Sequence, residues 1–184
     1  MKLWTIGSGY GLTTGEHCAS NQGRTALQAA AEGGHLAVVE RLLQEKMDVN
    51  TAPASNQGRT ALQAAADLEG GHLAVVERLL QEKADVNTAP AKFHKRTALQ
   101  AAAEVGHLAM VERLLQEKAD VNAHHANYDG RTALHAAAVG GHLAVVERML
   151  QEKADVNAVP AWTGGRTAIQ AAADGGYLTV VERL

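Results

Sequence analysis

The chain has 184 residues, of which 46% are hydrophobic but only 3% aromatic, and its formal net charge is −3. A single cysteine, Cys18, excludes an internal disulfide framework, and no run reaches the roughly 18 apolar residues of a membrane span. The small net charge gives no general attraction to nucleic acid or to an acidic membrane, so we expect neither as a partner. The expected location is inside the cell, in the cytoplasm, with the nucleus as an open alternative.

The first 18 residues form a leader that does not match the rest of the chain. Gly7 and Gly9 interrupt its short apolar patch, so we do not expect a secretory signal. Two interpretations remain for Leu3, Trp4 and Ile6: they belong to a flexible segment, or they cover the open face of the element that follows.

A repeated segment begins after the leader. Arg-Thr-Ala-Leu-Gln-Ala-Ala-Ala starts at Arg24, returns at Arg59 and Arg96, and returns with one substitution at Arg131 and Arg166. Its threonines are separated by 35, 37, 35 and 35 residues, and 23 of 27 positions are identical between residues 24–50 and 131–157. A period of this length predicts a stack of similar units, each burying the face of its neighbour.

Each unit is predicted to contain a helix, a turn, a second helix and a long loop. In the first unit, Thr25 is a suitable N-cap for a helix over Ala26–Glu32, and residues 33–34 supply a glycine stop. An amphipathic apolar spacing then predicts a helix over Leu36–Gln44. The remaining residues, 51–58, are predicted to form a hairpin-like finger.

These motifs resemble the ankyrin repeat from about residue 19 to the end of the chain. The motifs are Gly-Arg-Thr-Ala-Leu-Gln-Ala-Ala-Ala, Gly-Gly-His-Leu-Ala-Val-Val-Glu-Arg-Leu-Leu and Ala-Asp-Val-Asn. The resemblance implies an all-α solenoid of about four and a half helix-turn-helix repeats that binds proteins and has no catalytic activity. The predicted divisions are a leader, 1–18, and repeats at about 21–55, 56–92, 93–127, 128–162 and 163–184, the last truncated. The similarity is greatest to self-similar arrays of fungal NLR-like signalling proteins, or to a designed ankyrin protein.

The chain departs from the family pattern in two segments, the start of the first helix and the end of the second. The family's Thr-Pro-Leu-His becomes Thr-Ala-Leu-Gln in the first three repeats, and only His135 keeps the histidine. The glycine that usually follows the second helix is replaced by lysine in four repeats: Lys46, Lys83, Lys118 and Lys153. A left-handed backbone at these lysines costs about 1 kcal/mol each, of which helix-dipole attraction recovers a few tenths.

No catalytic or metal site is expected, and no cofactor. One histidine recurs at the start of the second helix in four repeats, where we expect a hydrogen bond between neighbouring repeats: His35, His72, His107 and His142. A second group, His94 with His124 and His125, lies in two adjacent fingers; imidazole suits zinc or nickel, but the further ligands that a metal site needs are not evident.

Binding is expected where the repeats differ, because variation there does not disturb the stack. Half of the six aromatic residues fall in the fingers, and the turns after the first helices also vary. The predicted partner-binding residues, for a protein or peptide of unknown identity, are Glu32, Ser55, Asn56, Lys92, Phe93, His94, Lys95, Glu104, Asn127, Tyr128, Asp129, Val139, Trp162, Thr163 and Asp174. Alternatively, the aromatic side chains fold back onto neighbouring fingers.

A rival function is a structural array segment, sensor or spacer that self-associates end to end. That hypothesis places an exposed edge at Val180, Val181 and Leu184. A designed scaffold without a physiological partner is a further alternative.

Overall fold

A computed structural model describes residues 25–51, 59–67, 72–89, 96–123, 131–158 and 166–184. These residues form ten α-helices and no strand, which confirms the predicted all-α class. The leader and most residues of every finger lie outside the described residues, so the hairpin form of the fingers stays a prediction. None of the described helices is long and apolar enough to cross a membrane.

Each repeat contributes two helices, and the bounds predicted for the two helices of the first repeat are confirmed. The first helices of the five repeats are α1 Ala26–Glu32, α3 Ala61–Ala66, α5 Ala98–Val105, α7 Ala133–Val139 and α9 Ala168–Asp174. The second helices are α2 Leu36–Gln44, α4 Leu73–Gln81, α6 Leu108–Gln116, α8 Leu143–Gln151 and α10 Leu178–Arg183.

The first helices begin at a reciprocal hydrogen-bonded cap. The hydroxyl of Thr25 accepts a hydrogen bond from the Gln28 amide, and the Thr25 amide donates to the Gln28 side-chain oxygen over 2.9 Å. The same box forms at Thr60 and at Thr97. Two otherwise free N–H groups are therefore satisfied at a helix start that lacks the family's proline.

The helix ends use left-handed residues, as predicted. Gly34 and Gly106 follow first helices with φ of 67° and 80°. The residue after the second helix is left-handed although it is lysine: Lys46, Lys83, Lys118 and Lys153 have φ between 59° and 66°. Because these residues carry a Cβ, each repeat retains backbone strain of about 1 kcal/mol at this position.

The helices stack in two layers with the hydrophobic core between them. The first helices α1, α3, α5, α7 and α9 pack in order, and the second helices do the same, less closely. Alanines at the centre of the first layer, such as Ala65, Ala102 and Ala137, are fully buried and let the backbones approach. A stack whose layers are unequally spaced bends toward the tighter one, so the first-helix layer is the concave side.

The predicted exposed edge of the last repeat is wrong at Val180, which is 0% exposed, while Val181 and Leu184 are partly buried. The reason is the direction in which the side chain at this position of the second helix points. Val75 and Val145, its counterparts in earlier repeats, are also buried, whereas Val38 in the first repeat is 49% exposed. The side chain at this position therefore faces the preceding repeat. The exposed large hydrophobic side chains of the last repeat are instead Ile169, Tyr177 and Leu178.

Candidate protein-binding surface

The ends of the first helices form a line along the concave side, which we call the turn strip: Glu32, Asp67, Glu104, Val139 and Asp174. Four of these residues are among the predicted partner-binding residues, and Asp67 is the equivalent position in the second repeat. Each lies at the last or penultimate position of a first helix or directly follows it, and its side chain is half-buried or exposed. The other eleven predicted residues lie outside the described residues.

Arginines connect the acidic members of the turn strip across repeats. Arg59 contacts Glu32 of the first repeat over 3.0 Å and also pairs with Asp67 of its own repeat. Arg96 repeats this arrangement, at 3.6 Å from Asp67 and in contact with Glu104. An alternating chain of charges therefore joins three repeats, and the side chains of Arg59 and Asp67 within it are mostly buried.

Sequence reasoning missed these arginines because they do not vary between repeats. Each stands directly before the capping threonine, and the acidic residue follows eight positions later, so the two lie at opposite ends of one short helix. The extended guanidinium side chain reaches back along the helix, as in the contact between Arg166 and Asp174. The spacing of Arg at i and an acid at i+8 was the available signal.

An open cleft of about 650 Å³ lies on this face between the second and third repeats. Its lining includes Asp67, Arg96 and Glu104 from the turn strip and its arginines, together with Val105 and His107. The cleft is polar and charged, which suits contact with a polypeptide.

Two of the histidines at the start of the second helices, His72 and His142, contact the preceding repeat. His142 Nε2 lies 2.9 Å from the carbonyl oxygen of Glu104 in the preceding repeat, which confirms the predicted inter-repeat hydrogen bond. Its ring also lies against Gly106, and the ring of His72 lies against Gly34 in the same way. In the last repeat the ring of Tyr177 occupies this place, against Gly141.

The one family-type histidine is also structural. His135 is buried, with Nδ1 2.8 Å from the Thr132 hydroxyl and Nε2 2.9 Å from the carbonyl oxygen of Arg166. Burial lowers the pKa of this imidazole, and the positive charge of Arg131 lowers it further, although the Arg166 hydrogen bond opposes both. Among the described residues no group of histidine, cysteine and acidic side chains could hold a metal ion.

Asparagines provide a second set of inter-repeat contacts. Asn87 donates from Nδ2 to the Lys118 carbonyl over 3.1 Å, and its Oδ1 accepts from the Asp120 amide over 2.9 Å. Asn50 and Asn122 make the equivalent pair of bonds to the repeat that follows each of them. The left-handed lysine thus presents its carbonyl to the preceding repeat.

A model of the family described as ankyrin repeats, three copies, matches residues 5–90 and 88–160. The chain belongs to the ankyrin repeat family. Ankyrin repeats are generally protein-protein interaction modules and are typically not catalytic. No curated protein sequence matches this chain.

Proposed function

We propose that this ankyrin chain is a non-catalytic interaction module that binds a protein or peptide through its turn strip and fingers. The supporting observation is the contrast between a constant stack and a variable line of accessible side chains along its concave side. Glu32, Glu104 and Asp174 are acidic and Val139 is apolar at equivalent positions, although the helices beneath them are nearly identical. Such a surface changes its specificity without a cost to folding.

The fingers extend this proposed surface. Phe93, Tyr128 and Trp162 occupy finger positions in three successive repeats, in a chain with only six aromatic residues. Aromatic side chains bury large areas with little loss of conformational entropy and dominate many interfaces. Interfaces also tolerate mixed charge at the rim, which the turn strip would supply.

The test is a binding comparison between variants. Peptide ligands are selected from a displayed library on the immobilised chain, and their dissociation constants are measured by calorimetry for the wild type and for Phe93→Ala/Tyr128→Ala/Trp162→Ala. The matched control replaces three exposed residues of the second-helix layer: Gln81→Ala, Gln116→Ala and Gln151→Ala. We expect the finger variant to weaken binding at least about tenfold and the control to leave it unchanged. Unchanged affinity in a folded finger variant would refute the role of the aromatic residues.

The alternative function is a self-associating array segment or spacer. Its support is the exposure of Leu178, at 67%, and of Ile169, at 41%, on one face of the last repeat. Sedimentation velocity over a hundredfold range of concentration separates the two functions. Concentration-dependent oligomers that disappear in Leu178→Asp favour assembly, and a monomer at every concentration refutes it.

For either function the proposed location is the cytoplasm, because a chain with a single cysteine has no internal disulfide of the kind that oxidising compartments favour.

A further inference from the structure

One arginine of the turn strip lacks the acidic partner that its counterparts have. Arg59, Arg96 and Arg166 each contact the acidic residue eight positions later. At the equivalent place in the fourth repeat the acid is replaced by Val139. In the part of the chain that the structure describes, no acidic side chain forms an ion pair with Arg131, although its side chain is exposed.

Val139 is accessible at the same place. It is 42% exposed at the last position of α7, a helix of the same length as α9, whose last residue Asp174 contacts Arg166. Because α7 and α9 have the same length and an arginine stands directly before each capping threonine, an Arg131 side chain extended like that of Arg166 would reach Val139. No other described turn of the strip combines an exposed apolar residue with an arginine that forms no ion pair.

The neighbouring repeats do not supply the missing charge. Glu104, one repeat earlier, is held by Arg96, and Asp174, one repeat later, is held by Arg166. An acidic ligand would therefore meet one free guanidinium flanked by two carboxylates that are already paired. A single carboxylate fits this arrangement, whereas a run of acidic residues would be repelled by Glu104 and Asp174.

We propose that Arg131 and Val139 form the specificity pocket of the turn strip, binding an Asp or Glu side chain that stands beside an apolar side chain of a protein partner. The guanidinium fork donates two parallel hydrogen bonds to the carboxylate, and the apolar neighbour covers Val139 and excludes water from the pair. Exclusion of water strengthens the charge interaction relative to a fully exposed ion pair. This inference rests on the proposed function and names the partner chemistry for it.

The decisive variant is Val139→Asp, because it recreates the Arg–Asp pair of the last repeat and occupies Arg131 internally. Peptides from a displayed random library are selected on the wild type, and the dissociation constants of the best binders are measured for the wild type, Val139→Asp and Arg131→Ala. Gln116→Ala is the control on the opposite layer. Circular dichroism at rising temperature establishes that each variant is folded.

We expect the selected peptides to be enriched in an acidic residue next to Leu, Ile or Phe. We expect Val139→Asp and Arg131→Ala each to weaken binding about tenfold or more. We expect a similar loss when the acidic residue of the peptide is replaced by its amide. Peptides that bind Val139→Asp and Arg131→Ala as tightly as the wild type would overturn the pocket and leave the proposed function standing. Failure to select any ligand on the folded wild type would overturn both.

Discussion

Gly106 lies directly beneath the imidazole ring of His142, which belongs to the next repeat. A Cβ on Gly106 would stand 2.4 Å from His142 Nδ1, so the glycine is required both by its φ of 80° and by the ring that covers it. The same imidazole reaches the Glu104 carbonyl. One residue pair therefore joins the turn of one repeat to the second helix of the following repeat.

Gly106→Ala is expected to destabilise the chain by about 2–3 kcal/mol. About 1 kcal/mol comes from placing a Cβ on a left-handed residue, and the rest from displacement of His142 and loss of its hydrogen bond. The control is Gly176→Ala, at φ 72° with nothing within 4 Å of the added Cβ, which should cost only about 1 kcal/mol. Urea denaturation measures both. Equal losses would show that the ring contact contributes nothing.

The asparagine contacts between repeats predict a second difference. Asn87→Ala removes the bonds to the Lys118 carbonyl and the Asp120 amide, and we expect a loss of about 1 kcal/mol because water partly replaces them at this exposed site. Asn157→Ala is the matched control, since in the described residues the Asn157 side chain makes no bond to another repeat. A loss as large for Asn157→Ala would indicate a local rather than an inter-repeat role.

The left-handed lysines predict a stabilising change. Lys118→Gly removes the Cβ from a residue at φ 64°, and we expect a gain of about 0.5–1 kcal/mol in the free energy of unfolding. Lys118→Ala removes the charge but keeps the Cβ, so it should give no gain. If the alanine and glycine variants unfold at the same urea concentration, relief of backbone strain at residue 118 does not contribute to the free energy of unfolding.

His135 predicts a pH dependence of stability. Burial holds the pKa of its imidazole below the ordinary value of 6.5, so the folded state disfavours the charged form. As the pH falls through 6.5 and below, the unfolded chain takes up this proton more readily than the folded chain, and stability is lost. Above pH 6.5 the contribution of neutral His135 to stability is fully present.

The measurement is the urea midpoint at pH 7.5 and at pH 5.5 for the wild type and for His135→Gln. Glutamine occupies this position in the other four repeats, and Gln100 donates to the Arg131 carbonyl, which is equivalent to the Arg166 carbonyl that His135 contacts. The variant should lose less stability at the lower pH than the wild type. An unchanged difference between the two pH values would show that His135 is not the source of the pH dependence.

The helices and their caps were predictable because their signals are local. The threonine cap, the glycine stop and the apolar spacing all lie within one repeat, and the period of the repeat fixes the stack. The bonds from Asn50 and Asn87 join residues more than 30 positions apart and depend on the distance between repeats, which no local pattern specifies.

The errors and omissions have physical causes. Val180 was assigned to an exposed edge because helical spacing identifies an apolar face but not the neighbour toward which each residue on it points. The arginines beside the turn strip carry no signal of variation between repeats, because Arg59 and Arg96 are constant whereas the residues eight positions later vary. The finger residues, including Phe93 and Trp162, stay predictions.

The most direct test of the interaction surface is the hydrogen-exchange footprint of the tightest selected ligand on the whole chain. We predict slower amide exchange at the ends of the first helices and in the fingers, centred on the turn after α7, with no change along the exposed side of α4, α6 and α8. Protection confined to those second helices, with the turns unaffected, would contradict a binding surface on the concave side.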